Sequence, residues 1–124
     1  MILIIEREEN SSSEIRHWAL QHTSAPVFVA NAVEALLWLG KGNLPRLILA
    51  EAAMQPIAGP EFVRTLKSSG FFQDIPVVVF GNPEQHPLMA EMRQAGASDH
   101  VFLPVNVDFL QKRFDSYLLS EVGL

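Results

Sequence analysis

The chain of 124 residues contains no cysteine. This absence excludes disulfide bridges, thiolate metal sites and a cysteine nucleophile, and it fits a reducing compartment, so we expect a cytoplasmic protein. Long apolar runs are absent as well. No stretch approaches the roughly 18 residues of a membrane-spanning helix, and the apolar segment 1–5 is too short to be a signal-peptide core. We therefore expect no membrane partner.

Positive charge is scarce. The chain has 9 lysine and arginine residues against 14 aspartate and glutamate residues, which gives a formal net charge of -5. The cations form no cluster along the sequence, whereas a surface that binds nucleic acid needs several cations to neutralise phosphates. We therefore expect no nucleic-acid partner and favour a protein or a small ligand.

Apolar residues, by contrast, are plentiful. They make up 48% of the chain, and 124 residues are enough to enclose one substantial hydrophobic core. Neither a composition shift nor a linker-like segment divides the sequence. We predict a single domain spanning residues 1–124.

Five apolar runs predict β-strands. Their continuous hydrophobicity is typical of strands covered on both faces, and β-branched residues are frequent in them. The predicted strands are Ile2–Ile5, Pro26–Ala30, Leu47–Ala50, Ile75–Phe80 and about His100–Leu103.

Each run is followed by a segment with helical spacing. Ser11 and Glu14 have the spacing of a capping box, which places the start of the first helix there. Glycines follow the second and fourth helices, and Pro60 starts the third. The apolar positions that mark the helices are Ile15, Trp18, Ala19 and His22; Val33, Leu36, Leu37 and Trp38; Phe62, Val63 and Leu66; the segment 87–95; and Val107, Leu110, Phe114, Tyr117 and Leu118.

The pattern is (βα)5. Right-handed crossovers between such units produce an open parallel sheet with helices on both faces. In these sheets the functional cleft lies beyond the carboxyl ends of the strands. The strand ends that we expect around this cleft are Glu6, Arg7, Glu51, Gly81 and Leu103.

These strand ends, together with the segment 95–99 (Ala-Gly-Ala-Ser-Asp) and the pair Leu103-Pro104, resemble the receiver domain of two-component response regulators. The resemblance covers essentially the whole chain. It implies a flavodoxin-like three-layer α/β sandwich whose five-stranded parallel sheet has the order 2-1-3-4-5.

The resemblance also implies roles for the first and third strand ends. In the family, the first strand ends in two acidic residues that hold a magnesium ion, and this chain has Glu6 and Arg7 there. The third strand ends in the aspartate that accepts the phosphoryl group, and Glu51 occupies that position. The loop that follows has the family's glycine at Gly59, but Ala58 stands where aspartate is usual.

The last two strands depart from the family pattern too. Gly81 replaces the serine or threonine that hydrogen-bonds the phosphoryl oxygen, and Leu103 replaces the lysine that pairs with the acidic site. Pro104 is kept and is a candidate for a cis peptide bond. His100 corresponds to the aromatic switch residue, so the switch-equivalent positions are Gly81, His100 and Leu103.

These replacements remove groups on which phosphoryl transfer depends. The reaction needs a metal ion and cationic side chains to neutralise charge on the phosphoryl oxygens. Magnesium requires several hard oxygen ligands, and Arg7 would repel it. We therefore expect no enzymatic activity, no catalytic residue, no cofactor, and magnesium binding that is lost or weak. Our hypothesis is that Arg7 replaces the metal by pairing with Glu51 or with Glu6.

Several of these residues have two interpretations. Glu51 either imitates part of a phosphorylated aspartate, because it reaches one methylene further, or is an ordinary acid at a strand end. Arg7 is either a partner of the acids or a solvated surface charge. His100 is either a pH-responsive switch or a half-buried structural histidine. The serines 11–13 either cap a helix or cradle a phosphate, and the surrounding glutamates favour capping.

The functional prediction is a degenerate receiver domain in two-component signal transduction that binds a protein partner independently of phosphorylation. The family's usual output surface is helix four, strand five and helix five, and its mixed charges suit a homodimer or another protein partner. On that surface lie Glu91, Arg93, His100, Phe102, Asp108, Lys112 and Asp115. The alternatives are a working receiver that takes phosphate on Glu51 or another carboxylate, and a flavodoxin-like domain that binds a small ligand.

Overall fold

A computed structural model describes residues 1–10, 13–104 and 106–119. All five predicted strands form within these ranges and pair in parallel in the order β2-β1-β3-β4-β5, which confirms the predicted fold class. The strands are β1 (Ile2–Ile5), β2 (Pro26–Val29), β3 (Leu47–Glu51), β4 (Val77–Gly81) and β5 (Asp99–Phe102).

Five α-helices cover the two faces of this sheet. They are α1 (Glu14–His22), α2 (Ala32–Gly40), α3 (Gly59–Lys67), α4 (His86–Ala95) and α5 (Val107–Leu119), and short 3-10 helices occupy Glu8–Asn10 and Pro83–Gln85. Buried residues of α1 and α5 form one hydrophobic cluster, and those of α2, α3 and α4 form the other. The result is a three-layer α/β sandwich.

Burial on both faces explains the continuous apolar runs. In β1, Ile2 and Ile4 belong to the cluster under α1 and α5, whereas Leu3 and Ile5 belong to the opposite cluster. Side chains of a strand alternate between the two faces of a sheet. Every position of β1 is therefore buried and apolar.

The first helix begins at a different residue from the one the capping-box spacing suggests. Ser13 is the N-cap of α1, and its hydroxyl accepts a hydrogen bond from the Arg16 N–H at 3.1 Å. Glu14 is then the first helical residue and not the third, so the capping-box prediction is wrong, although a serine does cap the helix. Ser11 and Ser12 lie outside the described residues. His22, predicted on the apolar face, is exposed.

Helix α2 forms where predicted but buries smaller side chains. Its buried residues are Ala32, Ala35 and Leu39, while Val33 and Leu37 are exposed. A helix packed closely on a sheet favours small residues at the contact, which hydrophobicity alone does not reveal. In α5, Leu110 and Phe114 are buried as predicted; the side chains of Val107 and Leu118 lie outside the described residues.

Boundaries of β2, β3, β4 and β5 also differ from the predicted ones by one or two residues. Ile75 donates its N–H to Phe72 O within a turn, so β4 begins at Val77 and not at Ile75. Strand β5 begins at Asp99, one residue before the predicted start. No helix in the described ranges is both long enough and apolar enough to span a bilayer.

Candidate functional site

The carboxyl ends of the strands surround one cleft of about 340 Å³. The strand register aligns these ends, since Ile5 pairs with Ala50, Glu51 with Phe80, and Gly81 with Phe102. The structure thus brings together all five predicted strand-end residues. The lining residues are Glu6, Arg7, Glu9, Ser13, Glu14, Glu51, Phe80, Gly81, Asn82, Gln85, Leu103 and Pro104.

Arg7 and Glu51 form the central contact of this cleft. Arg7 donates from Nε and Nη2 to Glu51 Oε1 at 3.1 and 2.9 Å, and from its main-chain N–H to Oε2 at 2.9 Å. Glu51 is only 5% exposed, while the Arg7 side chain is 46% exposed. The hydrogen bonds with Glu51 and its negative charge raise the pKa of Arg7 above its ordinary value. The guanidinium therefore remains charged and covers the carboxylate.

Glu6 is more deeply buried, at 3% exposure, and a cation close to its carboxylate belongs to a residue that the sequence analysis did not single out. Arg16 of α1 places Nε 4.0 Å from Glu6 Oε1, and its guanidinium carbon lies 4.1 Å from the centroid of the Phe28 ring. Among the described residues, Glu6 Oε1 has no hydrogen-bond partner. Nothing in the local pattern identifies Arg16, because only the packing of α1 against β1 brings it to the strand end.

Burial raises the pKa of Glu6, and the nearby charge of Glu51 adds to the rise, against the opposing effects of Ser13, Arg16 and Arg7. A carboxyl whose folded-state pKa is raised weakens the fold as the pH rises above the ordinary value of 4.5. At neutral pH the ionised Glu6 is thus a destabilising element of the cleft.

Replacing Glu6 with glutamine should therefore stabilise the protein at pH 7. The amide has the same shape and carries no charge, so the expected gain is on the order of 1 kcal/mol, the scale of one poorly satisfied buried polar group. Urea unfolding at pH 7 and pH 4.5 provides the measurement, and the gain should shrink at the lower pH. Glu9→Gln is the matched control, because the Glu9 side chain is 69% exposed. A loss of stability in Glu6→Gln at pH 7 would mean that the ion contact with Arg16 dominates.

Gly81 lies at the end of β4, and the Gln85 side chain occupies the space that a side chain on Gly81 would need. A Cβ atom built on Gly81 would collide with Gln85 Oε1 and lie 3.3 Å from the Ala52 Cβ. Gln85 Oε1 also accepts a hydrogen bond from the Asn82 N–H at 2.9 Å. The sequence analysis did not single out Gln85, although Asn82 and Gln85 have the spacing of a capping box at the 3-10 helix Pro83–Gln85.

Leu103 and Pro104 form the opposite wall. The Leu103–Pro104 peptide bond is cis, at the proline that the resemblance marked for this geometry, and the Leu103 N–H donates to Gly81 O at 2.8 Å. Leu103 thus presents a half-buried aliphatic side chain to the cleft.

The loop after β3 contains a second cis peptide bond, Gln55–Pro56, and leads to Gly59. A Cβ atom on Gly59 would lie 2.6 Å from Met92 Sδ and 3.0 Å from Ala52 O, so a larger residue here would require the Met92 side chain to move. Ala58, in place of the usual aspartate, is the exposed N-cap of α3 and provides no side-chain hydrogen bond to it.

His100 lies outside the cleft, on the side of β5 that faces α4. It is half-buried; its Nδ1 lies 2.7 Å from Arg93 Nη1, and its ring meets the Phe102 ring edge-on at 5.1 Å. A guanidinium only donates hydrogen bonds, so the His100 Nδ1 is the acceptor in this contact. This geometry fits a structural histidine and leaves the pH-switch interpretation untested.

Asp99 joins the same surface to α5. It accepts hydrogen bonds from Arg113 Nη2 at 2.7 Å and from the His100 N–H at 2.8 Å, and Arg93 lies 3.6 Å away. The other residues predicted for this surface are exposed or half-buried: Glu91, Phe102, Asp108, Lys112 and Asp115. Within the described ranges, no group of three histidine, aspartate or glutamate side chains is arranged to hold a metal ion.

Comparisons with known proteins agree with the fold. The family model of the response regulator receiver domain matches residues 2–115. Among curated proteins, the two-component response regulator ARR5 of Arabidopsis thaliana is 28% identical over 75 residues, which are 60% of this chain and 41% of that protein. The chain therefore spans about two fifths of the length of this relative.

Solved receiver domains superpose over nearly the whole chain. The receiver domain of a signal transduction histidine kinase from Syntrophus aciditrophicus has a TM-score of 0.83 at 23% identity and covers 96% of this chain and 89% of its own. The receiver domain of a sensor histidine kinase from Pseudomonas aeruginosa has a TM-score of 0.81 at 16% identity and covers 94% and 95%; its crystal structure has a magnesium ion coordinated in the active-site cleft. At these identities the likeness is one of fold.

Proposed function

This chain belongs to the response regulator receiver domain family, and we propose that it is a degenerate receiver that binds a protein partner in two-component signalling without being phosphorylated. The observation that carries the proposal is the contact between Arg7 and Glu51. A guanidinium covers the carboxylate at the phosphoacceptor position, where transfer needs a free nucleophilic oxygen.

Both oxygens of Glu51 are engaged by Arg7, which opposes nucleophilic attack. Oε1 accepts two hydrogen bonds from the guanidinium and Oε2 accepts one from the main chain. Attack on phosphorus uses a carboxylate lone pair that approaches in line with the leaving group. Three of the roughly four lone-pair sites of the carboxylate are already directed at Arg7 donors, and Leu103 supplies no cation to the cleft.

The residues present do not fit the magnesium ion that the family implies. Magnesium takes oxygen ligands in near-octahedral geometry at about 2.1 Å. Here the two buried acids of the cleft each face an arginine, with Arg7 at 2.9 Å from Glu51 and Arg16 at 4.0 Å from Glu6. A divalent cation would have to displace these positive charges, so we propose that the arginines neutralise the acids in its place.

The arginine also limits how far Glu51 can imitate a phosphorylated aspartate. A phosphoryl group carries nearly two negative charges and three oxygens, whereas Glu51 has one charge that Arg7 offsets. We therefore propose that the pair holds the domain in one conformation and does not reproduce the phosphorylated state.

For the partner surface we propose α4, β5 and α5. Arg93, Asp99 and Arg113 are connected by ion pairs there, while the half-buried Phe102 contributes an apolar contact between two histidine rings, with centroids 5.1 and 5.9 Å away. Apolar centres with charged rims are common in modest protein interfaces. A second copy of this chain or another cytoplasmic signalling protein would fit it.

Incubation with a small phosphodonor and magnesium, followed by intact mass measurement, tests the proposal. We expect no mass increase of one phosphoryl group in the native protein, because Arg7 covers Glu51 and no lysine is among the described residues that line the cleft. The triple variant Arg7→Asp, Glu51→Asp, Leu103→Lys restores the second acid, the aspartate and the lysine of the family pattern and should gain the modification. A stable phosphoryl adduct on the native protein that disappears in Glu51→Gln would establish a working phosphoacceptor instead.

A further inference from the structure

A side chain of the loop between β4 and α4, that of Gln85, forms a hydrogen bond across the loop. Gln85 reaches back over Gly81, where its amide fills the space that a side chain on Gly81 would need. Gln85 is half-buried and lines the cleft. Strand β4 therefore contributes no side chain to the cleft at its last residue, and the loop supplies one.

Two reciprocal hydrogen bonds hold this arrangement. The Asn82 N–H donates to Gln85 Oε1 at 2.9 Å, and the Gln85 N–H donates to Asn82 O at 2.9 Å. The intervening residues form the 3-10 helix Pro83–Gln85, and α4 begins at the next residue, His86. The end of β4 and the start of α4 are thus connected through one amide group.

We propose that Gln85 is a positioning residue that fixes the β4–α4 loop from within, so that the placement of α4 depends on a residue of this chain and not on a group bound in the cleft. The inference rests on the proposed function only in taking the α4 surface as the partner surface. Glycine at residue 81 is the necessary counterpart, because any larger residue would displace the Gln85 amide.

The first turn of α4 connects the loop held by Gln85 to the proposed partner surface. The His86 ring lies 5.9 Å from the Phe102 ring, which in turn meets the His100 ring at 5.1 Å. Because His86 directly follows Gln85, a loop that is released should change the first of these contacts. The cleft and the proposed partner surface are then coupled by a short segment of sequence.

Amide hydrogen exchange at Asn82 measures this closure directly. Gln85→Ala removes the acceptor of the Asn82 N–H, and we expect exchange there to accelerate about fivefold to tenfold, the range for one net hydrogen bond. Gln85→Glu retains an acceptor oxygen and should keep the exchange slow. Glu84→Ala is the matched control, because Glu84 is an exposed residue of the same 3-10 helix.

Gly81→Ala tests the same contact independently, because it keeps glutamine at residue 85. Its methyl group should push the flexible amide aside and accelerate Asn82 exchange to a similar extent, while the 3.3 Å contact with Ala52 adds a small strain. The double variant Gly81→Ala, Gln85→Ala should show no further acceleration, since both changes break the same contact. Native exchange at Asn82 in Gln85→Ala, or additive effects in the double variant, would overturn the proposal.

These outcomes are separate from the phosphodonor test. Asn82 exchange requires neither a phosphodonor nor a partner, so a protein that accepts phosphate could still have its loop held by Gln85. Conversely, rapid amide exchange at Asn82 in the native protein would contradict the role proposed for Gln85. It would not contradict the proposal that Arg7 covers Glu51.

Discussion

Replacing Asp99 with asparagine should lower the free energy of unfolding by about 2 kcal/mol at neutral pH. Asp99 is partly buried, with a side chain 14% exposed, and its carboxylate accepts hydrogen bonds from Arg113 and from the His100 N–H. The amide would lose the charge that compensates Arg113 and Arg93. Chemical denaturation of the two proteins at pH 7 measures the difference.

The pH dependence identifies the cause of this loss. Burial by itself would raise the pKa of Asp99, but the hydrogen bonds from Arg113 and His100, together with the charges of Arg113 and Arg93, lower it overall. A lowered pKa stabilises the fold above the unfolded-state pKa of about 4 and loses this contribution as the pH falls through the folded-state value. The difference between native protein and Asp99→Asn should be constant above pH 5 and shrink below pH 4.

Asp108→Asn is the control for this experiment, because Asp108 is an exposed acid of α5, on the same α4–β5–α5 surface. It should change the unfolding free energy by no more than about 0.5 kcal/mol. A difference for Asp99→Asn that persists undiminished at pH 3 would show that packing, and not charge, accounts for the loss.

Replacing Arg7 with alanine should lower the free energy of unfolding by about 1 to 2 kcal/mol near neutral pH. The variant loses both guanidinium hydrogen bonds to Glu51, whose side chain is only 7% exposed, while the main-chain hydrogen bond of residue 7 remains. The expected loss is smaller than for a fully buried pair, since solvent already screens the half-exposed arginine.

A second substitution distinguishes charge from packing. Glu51→Gln in the Arg7→Ala background removes the carboxylate that lost its cation, so it should recover part of the stability. Arg46→Ala, at an exposed position just before β3, should have little effect. An unchanged melting temperature in Arg7→Ala would indicate a solvated surface charge and would remove the main support for the proposed metal replacement.

The sheet and its helices were predictable because their signals are local. Continuous apolar runs such as Ile2–Ile5 report burial on both faces, and helical spacing together with glycine, as at Gly96 with its φ of 123°, marks the connections. The predicted N-cap of α1 and the predicted buried face of α2 were wrong, because local signals compete at these positions. Two serines precede Ser13, so spacing alone chose the wrong cap, and α2 buries its alanines in place of Val33 and Leu37.

The site was predictable only in part. The strand-end positions of Glu6, Arg7, Glu51, Gly81 and Leu103 follow from the alternation of elements, because parallel strands end at one edge. The residues that these side chains contact cannot be predicted from the alternation of elements. Arg16 comes from a helix ten residues after Glu6, and Gln85 reaches Gly81 only because a 3-10 turn folds it back.

The sheet, the cleft and the identities of the side chains at its edge follow from the amino-acid sequence alone, since these depend on periodicity and order along the chain. Which charges meet depends on how the chain packs in three dimensions: Glu51 pairs with Arg7, Arg16 lies 4.0 Å from Glu6, and Asp99 pairs with Arg93 and Arg113. Ion pairs and hydrogen bonds act over a few ångströms between residues distant in sequence. No periodicity encodes such pairings, because they arise from the packing of whole helices on the sheet.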